Sequence, residues 1–171
     1  MAQKIRMAHD AFEEIYKTYF ARIYNYIYYR VQNAHTAEDL AADTFVRAYE
    51  YWASYHPEKA PLDAWLGGIA RNAVNTHYRK SAGRPQVIEL AEYLPSRTDI
   101  EGELIHKEIV RHLLLEIRKL PDAHRDLLAM KYMMRLKNKE IAKLTGMSES
   151  NVGVTLHRVI GTLRKNLSQT V

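Results

Sequence analysis

A short stretch near the C-terminus carries polar side chains of the types that bind nucleic acid. It covers residues 138–159, with the sequence NKEIAKLTGMSESNVGVTLHRV. Arg158 offers the bidentate donor that suits a guanine edge, Asn151 can pair with a base or a phosphate, and Val154 can contact a thymine methyl group. The other candidates for DNA contact on the same helical face are Ser150, Thr155 and His157. The chemistry that these residues predict is recognition by hydrogen bonding.

Two short helices around a glycine turn would position these side chains. The spacing of Ala142, Gly146 and Val152 combines a small residue for close helix approach, a glycine for positive φ and a branched residue for the core. Ser148 suits the N-cap of the second helix. The residues predicted to be buried are Ile141 and Ala142 on the first helix, and Val152, Leu156, Val159 or Ile160, and Leu163 on the second. This pattern predicts a helix-turn-helix, although an ordinary helical hairpin fits it as well.

The charge distribution near this motif suits a polyanion. Residues 104–171 carry 13 basic and 6 acidic side chains, whereas residues 1–81 carry 10 and 9. Lys131, Lys137 and Lys139 surround the motif and are predicted to contact phosphates, which position a protein without specifying sequence. The second helix nevertheless has Gly153 and Thr155 where a basic residue would add affinity. We therefore expect the rest of the chain, or another protein, to contribute to recognition.

Helical apolar spacing extends over nearly the whole chain. In the first helix, apolar residues recur every three or four positions from Phe12 to Ile27. Thr36 is predicted to cap a second helix, and Gly67 and Gly68 inside the third indicate close packing or a bend, since each weakens a helix by about 1 kcal/mol. The other predicted helices cover residues 62–79, 100–120 and 122–134.

An acidic segment without clear periodicity divides these helices. Residues 82–103 carry two basic and five acidic side chains and contain Pro95. Such a length is uncommon for a connection inside one compact domain. We therefore predict an all-α fold of two small helical domains, residues 1–81 and 104–171, joined by a flexible linker, with the helix-turn-helix in the second domain.

Composition and motifs exclude several classes of protein. The chain has no cysteine, which removes disulfides, thiol catalysis and thiolate metal sites. No HExxH or closely spaced set of metal-ligating residues occurs, so we predict no catalytic residue, metal or cofactor, and not an enzyme. The N-terminus lacks the apolar core of a signal peptide, and no apolar run is long enough to span a membrane. These observations predict a cytoplasmic protein.

Three segments resemble a known family. AEDLAADTF at residues 37–45 and AWLGGIARN at residues 64–72 are similar to the second conserved domain of bacterial sigma factors of the extracytoplasmic-function group. The segment LPDAHRDLLAMKYM at residues 120–133, together with the helix-turn-helix motif, resembles the fourth sigma domain. The resemblance covers about residues 10–167. It implies a non-enzymatic protein that binds core RNA polymerase, directs it to promoters and helps to open the DNA.

The resemblance implies two functions for the first domain. Glu38, Asp39 and Asp43 fall where the family docks on the basic clamp helices of the polymerase, although carboxylates in a first turn also favour the helix dipole. Asn72 matches the pocket that holds a flipped base of the melted non-template strand at the −10 element. The other residues on this surface are Tyr55, His56, Lys59, Asn75, His77, Tyr78, Arg79 and Lys80.

The resemblance assigns the −35 element, read as duplex DNA, to the second domain. It places Lys131 at a phosphate, and Lys137 and Asn138 at the start of the first motif helix, where Asn138 is expected to provide the cap. The reading residues are Ser150, Asn151, Val154, Thr155, His157 and Arg158. The basic residues that many relatives have near positions 153 and 155 are absent. Low affinity of this helix for DNA is sufficient if polymerase holds it near the promoter, because tethering raises its effective concentration.

Partners follow from the same resemblance. They are core RNA polymerase, through its clamp helices and flap, promoter DNA in duplex and melted form, and an anti-sigma protein that covers both domains. The alternative is a ligand-responsive repressor that binds operator DNA as a symmetric dimer. No sequence feature marks a dimerisation helix or a ligand pocket, and binding to core polymerase distinguishes the two functions.

Overall fold

The computed structural model describes the backbone of residues 2–81 and 100–168 and the side chains of residues 12–81 and 108–168. All regular structure within these ranges is helical, so the predicted all-α fold is confirmed. The helices are α1 (Ala2–Val31), α2 (Ala34–Glu50), α3 (Leu62–Ser81), α4 (Ile100–Arg118), α5 (Asp122–Leu128), α6 (Asn138–Thr145) and α7 (Glu149–Ser168). A short 3₁₀ turn (Trp52–Ser54) follows α2, and a π-helical turn (Ala129–Met133) follows α5.

Helices α1, α2 and α3 form a first bundle around an apolar core. Ile27 on α1, Phe45 on α2 and Leu66 on α3 are buried. Each such side chain stabilises the fold by about 1.5–3 kcal/mol relative to exposure. Aromatic rings extend the core toward the start of α1, where the centroids of Phe12 and Trp52 lie 5.9 Å apart. The predicted inward face of the first helix is confirmed at Phe12, Ile23 and Ile27, whereas Tyr16, predicted on the same face, is 42% exposed.

The start of α2 differs from the prediction. Thr36 is not the cap but lies inside the helix, and its backbone N–H donates to the side-chain oxygen of Asn33 at 2.8 Å. Asn33 takes the capping position because Gln32, with φ of 51°, turns the chain directly after α1. Consequently Glu38 and Asp39 lie beyond the first turn of α2. The helix dipole therefore does not account for these carboxylates.

Helices α4 to α7 form a second bundle. Its buried residues include Ile117, Leu127, Ile141 and Val152. The helix predicted over residues 122–134 is interrupted, because α5 ends at Leu128 and the chain widens into the π-helical turn. There the N–H of Met134 donates to the carbonyl oxygen of Ala129 at 3.2 Å. Arg135 then adopts a φ of 58° and ends the helical segment.

Gly67 and Gly68 lie where the two bundles pack together. A Cβ atom at Gly67 would come within 3.2 Å of the Cε atom of Met134. One at Gly68 would come within 3.2 Å of the Cδ2 atom of Leu144. Larger side chains would push the second bundle away from α3. Of the two predicted reasons for this glycine pair, close packing is the one that the structure confirms.

The predicted linker falls largely on residues 82–99, which lie outside the described residues. Helix α4 begins at Ile100. The division of the chain at residues 81 and 104 therefore stays a prediction. Within the described ranges, none of the helices combines the length and the apolar character that crossing a bilayer requires.

Candidate nucleic-acid interface

The predicted helix-turn-helix is formed by α6 and α7. Gly146 adopts a left-handed φ of 75°, and its N–H donates to the carbonyl oxygen of Ala142 at 2.9 Å, which ends α6. Ser148 caps α7, because its hydroxyl oxygen accepts from the N–H of Asn151 at 3.2 Å. The predicted roles of Gly146 and Ser148 are confirmed. Together they fix the angle at which α7 leaves the turn.

We expect Gly146→Ala to destabilise the protein by about 1–2 kcal/mol, the usual penalty for a left-handed L-residue. A Cβ atom at this position meets nothing within 4 Å, so the effect arises from the backbone alone. Gly146→Asn is the matched control, because asparagine tolerates this conformation better than alanine. Urea unfolding of both variants measures the effect. Equal stability of Gly146→Ala and the wild type would contradict the assigned turn.

The start of α6 is capped differently from the prediction. Asn138 is the first residue of the helix rather than its cap. The side chain of Glu140 instead accepts from the backbone N–H of Lys137 at 2.7 Å. The side chains of Lys137 and Lys139 remain exposed, which leaves both free to contact phosphates.

Helix α7 presents a polar face opposite its buried face. The predicted core residues Val152, Leu156, Val159 and Leu163 are buried, whereas Ile160 is only partly so. The predicted reading residues Ser150, Asn151, Val154, His157 and Arg158 are exposed together. Thr155 is half-buried, and its hydroxyl donates to the side-chain oxygen of Asn151 at 3.4 Å. This contact leaves the amide N–H groups of Asn151 as donors for DNA.

The packing around Gly153 explains why this helix lacks a basic residue there. A Cβ atom at Gly153 would lie 3.3 Å from the amide nitrogen of Asn138. The Nζ atom of Lys131 donates to the side-chain oxygen of the same Asn138 at 2.8 Å. Gly153 therefore faces α6 rather than solvent, and Lys131 is partly engaged within the protein. A charged side chain at position 153 would disturb this contact.

A cavity of about 760 Å³ opens beside α3. Trp65 and Ile69 contribute apolar surface, while Asn72 and Lys59 contribute polar groups. The residues that complete its wall are Lys137, which directly precedes α6, and Lys139, Glu140, Lys143 and Leu144 of α6. A flat aromatic surface beside an amide side chain suits an unstacked base, because base–aromatic stacking is worth about 1–3 kcal/mol.

The loop before α3 supports this cavity. The ring of Tyr55 lies 5.0 Å from that of Trp65 and 5.4 Å from that of Trp52. Burial, together with the charges of Asp63 and Glu58, raises the pKa of Tyr55. Trp65 is half-buried and belongs to both the core and the cavity.

The predicted −10 residues do not all converge on this cavity. Asn72 and Lys59 line it, and His56 lies in the adjoining loop with its Nδ1 atom 3.1 Å from a carboxylate oxygen of Glu58. The residues that lie farther along α3, outside the cavity lining, are Asn75, His77, Arg79 and Lys80. Tyr78 was predicted on the same surface, but its hydroxyl donates to the carbonyl oxygen of Arg30 and belongs to the packing.

The predicted acidic surface on α2 is exposed. Glu38, Asp39 and Asp43 are all accessible to solvent. Asp43 accepts from Arg47 at 3.2 Å, and Asp39 lies 3.9 Å from His35. Ion pairs at such exposed positions contribute about 0–1 kcal/mol, so a basic partner can displace them. The surface is therefore available for docking.

Sequence reasoning missed an apolar groove beside these carboxylates. The residues that line it are Phe12, Glu13, Tyr16, Ala42, Phe45, Val46, Tyr49 and Glu50, from α1 and α2. Val46 is 57% exposed and Tyr49 is 47% exposed, unusual values for apolar side chains in a helix. A sequence signal for this groove was available. Val46 and Tyr49 lie seven and ten residues after Asp39, a spacing that places them on the same side of α2 as that carboxylate.

A helix-turn-helix, an aromatic cavity and an exposed acidic face together indicate a DNA-binding protein that also engages another protein. Two family profiles match the chain: Sigma-70 region 2 at residues 15–84 and Sigma-70, region 4 at residues 111–163. The chain is 33% identical over 165 residues to RNA polymerase sigma factor YlaC of Bacillus subtilis (strain 168), covering 94% of each chain. It is 30% identical over 146 residues to ECF RNA polymerase sigma factor SigM of the same organism, covering 85% of this chain and 88% of SigM.

A solved structure shares the fold. The sigma factor RpoE of Bartonella quintana, in complex with the anti-sigma factor NepR, gives a TM-score of 0.75 at 16% identity. The match covers 92% of this chain and 97% of that chain. The chain belongs to the sigma-70 family, in the extracytoplasmic-function group of RNA polymerase sigma factors. It binds core RNA polymerase, directs it to promoters and promotes DNA opening; the repressor alternative is not supported.

Proposed function

We propose that the two bundles of this sigma factor divide promoter recognition between them. In this proposal residues 1–81 act at the −10 element, residues 104–171 act at the −35 element, and residues 82–103 link them. The observation that carries the proposal is the presence, in one chain, of two separate surfaces whose geometry suits base reading. One is the helix-turn-helix around Gly146, and the other is the aromatic cavity at Asn72.

Docking on core polymerase is assigned to the acidic face of α2. Glu38, Asp39 and Asp43 lie beyond the first turn of α2 and are exposed. We therefore assign them to binding a basic partner. The apolar groove of Tyr16 and Val46 lies alongside. Apolar contact next to charge complementarity is the usual composition of a specific interface.

Reading of the −10 element is assigned to the cavity beside α3. Asn72 supplies donors and acceptors for the edge of a flipped base, Trp65 supplies aromatic surface with Tyr55 packed against it, and Lys59 supplies charge. Residues Asn75, His77, Arg79 and Lys80 would follow the strand along α3, with His56 at the loop. Stacking and phosphate contacts favour single-stranded DNA over duplex, so this surface stabilises the melted state without nucleotide hydrolysis.

Reading of the −35 element is assigned to the exposed face of α7. Arg158 and Asn151 are its strongest base-reading groups, and Val154 adds apolar contact. The other contacts are assigned to Lys131, Lys137, Asn138, Ser150, Thr155 and His157. Since Lys131 and Thr155 also hold Asn138 and Asn151 in place, their contribution is partly positional.

The chain is further proposed to act as a non-catalytic factor in the bacterial cytoplasm, where polymerase and promoters meet. An anti-sigma protein is the proposed inhibitor, since the structurally similar RpoE forms a complex with the anti-sigma factor NepR. The exposed acidic and apolar faces of α2 would suit such a partner as well as polymerase. Binding by the two partners would then be mutually exclusive.

We expect Arg158→Ala to reduce promoter binding by the holoenzyme about 5–150-fold, because a bidentate base contact contributes about 1–3 kcal/mol. Arg164→Ala is the control, since Arg164 is exposed on the same helix but lies six residues, about 9 Å along the helix axis, beyond Arg158. Promoters found by genomic run-off transcription supply the DNA, and the measurement is holoenzyme binding to them. Equal affinities of the two variants would remove Arg158 from the reading surface.

A further inference from the structure

Four lysines from two separate segments of the chain line the cavity beside α3. Lys59 lies in the loop before α3, Lys137 directly precedes α6, and Lys139 and Lys143 lie on α6. All four residues are exposed, and no carboxylate within the described ranges forms an ion pair with any of them. The cavity lining therefore contains a group of cations without anionic partners.

The two carboxylates of the lining each have a polar partner already. A carboxylate oxygen of Glu58 lies 3.1 Å from the Nδ1 atom of His56, and Glu140 accepts from the backbone N–H of Lys137 at 2.7 Å. Four lysines against two glutamates leave the described part of the lining with a net charge of +2. A cleft with an excess of one charge concentrates ligands of the opposite charge, so this cavity favours an anion.

The uncharged part of the lining is built around an aromatic ring. Trp65 lines the cavity, while the rings of Trp52 and Tyr55 pack against it with centroids 6.0 and 5.0 Å away and lie outside the lining. Ile69 and Asn72 continue the same face of α3 at helical spacing. The amide of Asn72 offers two N–H donors and a carbonyl acceptor. A planar ring with a polar edge, such as a nucleobase, suits this surface.

Buried hydrogen bonds hold α6 and α3 on the two sides of the cavity. Arg71 on α3 donates to the carbonyl oxygen of Leu144 at 2.9 Å and to Asp126 at 2.7 Å. Asp126 is 5% exposed and also accepts from the hydroxyl of Tyr26 at 2.8 Å and from Arg30. The fold therefore sets where the lysines of α6 lie relative to the ring of Trp65.

Ring, amide and cations together match the parts of a nucleotide. Lysine is a common partner of phosphate, and a cavity of about 760 Å³ lies within the range of roughly 300–1,000 Å³ that holds small ligands. We propose that this cavity binds a free nucleoside polyphosphate, with its base against Trp65 and Asn72 and its phosphates among the lysines of α6. The site shares Trp65 and Asn72 with the proposed −10 surface but does not depend on that role, because its phosphate-binding half lies on α6.

Calorimetric titration of the full-length wild-type chain tests the site, with ATP as the probe and adenosine and pyrophosphate as its two halves. ATP should bind at one site and about tenfold or more tightly than adenosine, because its phosphates add charge-assisted hydrogen bonds. Pyrophosphate should compete with ATP. Equal affinities for ATP and adenosine, or no binding at about 1 mM ATP, would overturn the proposal.

Two substitutions separate the halves of the site. Lys143→Gln should weaken ATP binding about fivefold or more and leave adenosine binding unchanged, since it removes only a phosphate partner. Asn72→Ala should weaken both ligands by the same factor. Lys165→Gln is the matched control for charge, because Lys165 is exposed on α7 and lies outside the cavity lining. Equal losses of ATP affinity in Lys143→Gln and Lys165→Gln would show that net charge alone attracts ATP, which would overturn the site.

The fluorescence of Trp65 reports the position of the base. The chain has two tryptophans, so Trp52→Phe leaves Trp65 as the single indole. ATP should quench its fluorescence in a saturable manner, with the midpoint found by calorimetry on the wild type. Binding without quenching in the folded variant would place the base elsewhere and overturn the proposal. Neither polymerase nor promoter DNA is present, so failure here would leave the promoter assignments standing, and failure of those assignments would leave the ATP titrations unaffected.

Discussion

Replacement of both Asp39 and Asp43 by lysine should weaken binding to core RNA polymerase by more than about a hundredfold. Like charges brought together at an interface cost several kcal/mol, and both carboxylates are exposed on the same face of α2. The folded structure should survive, because the partners of these residues, His35 and Arg47, are themselves surface residues. Size-exclusion chromatography with core polymerase, followed by titration, measures the effect.

The control must change net charge equally. Glu14→Lys with Glu108→Lys adds the same four units of charge at exposed positions on α1 and α4. If both double variants lose binding to the same extent, general electrostatic attraction is responsible and the α2 face is not the docking site. If only the α2 variant loses binding, the α2 face is the docking site for core polymerase.

Asn72→Ala should reduce open-complex formation about 5–150-fold while leaving core binding unchanged. Loss of an amide that pairs with a base edge removes about 1–3 kcal/mol of discrimination. Asn72 is exposed at the mouth of the cavity, so its removal leaves no buried polar group unpaired. Run-off transcription and permanganate footprinting of the melted region measure the effect.

A template that is already mismatched around the −10 element separates base reading from melting. Asn72→Ala should remain defective there if Asn72 contacts the flipped base. The control is Asn25→Ala, which removes a half-buried amide on α1 far along the chain from the cavity. A defect of equal size in Asn25→Ala would indicate a general loss of folding rather than loss of a base contact.

Local sequence signals predicted the helices and the helix-turn-helix well. Gly146 and Ser148 have the predicted conformations because their roles depend on neighbouring backbone atoms within a few residues. Thr36 failed as a predicted cap because Asn33 is an equally good capping residue closer to the turn. The π-helical turn at residues 129–133 also escaped prediction, since apolar spacing does not distinguish it from an α-helix.

The contact between the bundles could not be predicted from local patterns. Tyr26 and Arg30 lie 100 and 96 residues from Asp126 along the chain, and no spacing rule links such positions. Arg30 also resembles an ordinary basic residue in the last turn of a helix. The only sequence-level trace was the pair Gly67 and Gly68, which indicated close packing without identifying its partner.

Genomic run-off transcription with core polymerase from the same host tests the central claim most directly. The wild-type chain should direct initiation to a limited set of start sites that share two conserved elements, one near −10 and one near −35. Arg158→Ala should weaken dependence on the upstream element, and Asn72→Ala should weaken dependence on the downstream one. Start sites identical to those of core polymerase alone would contradict the account.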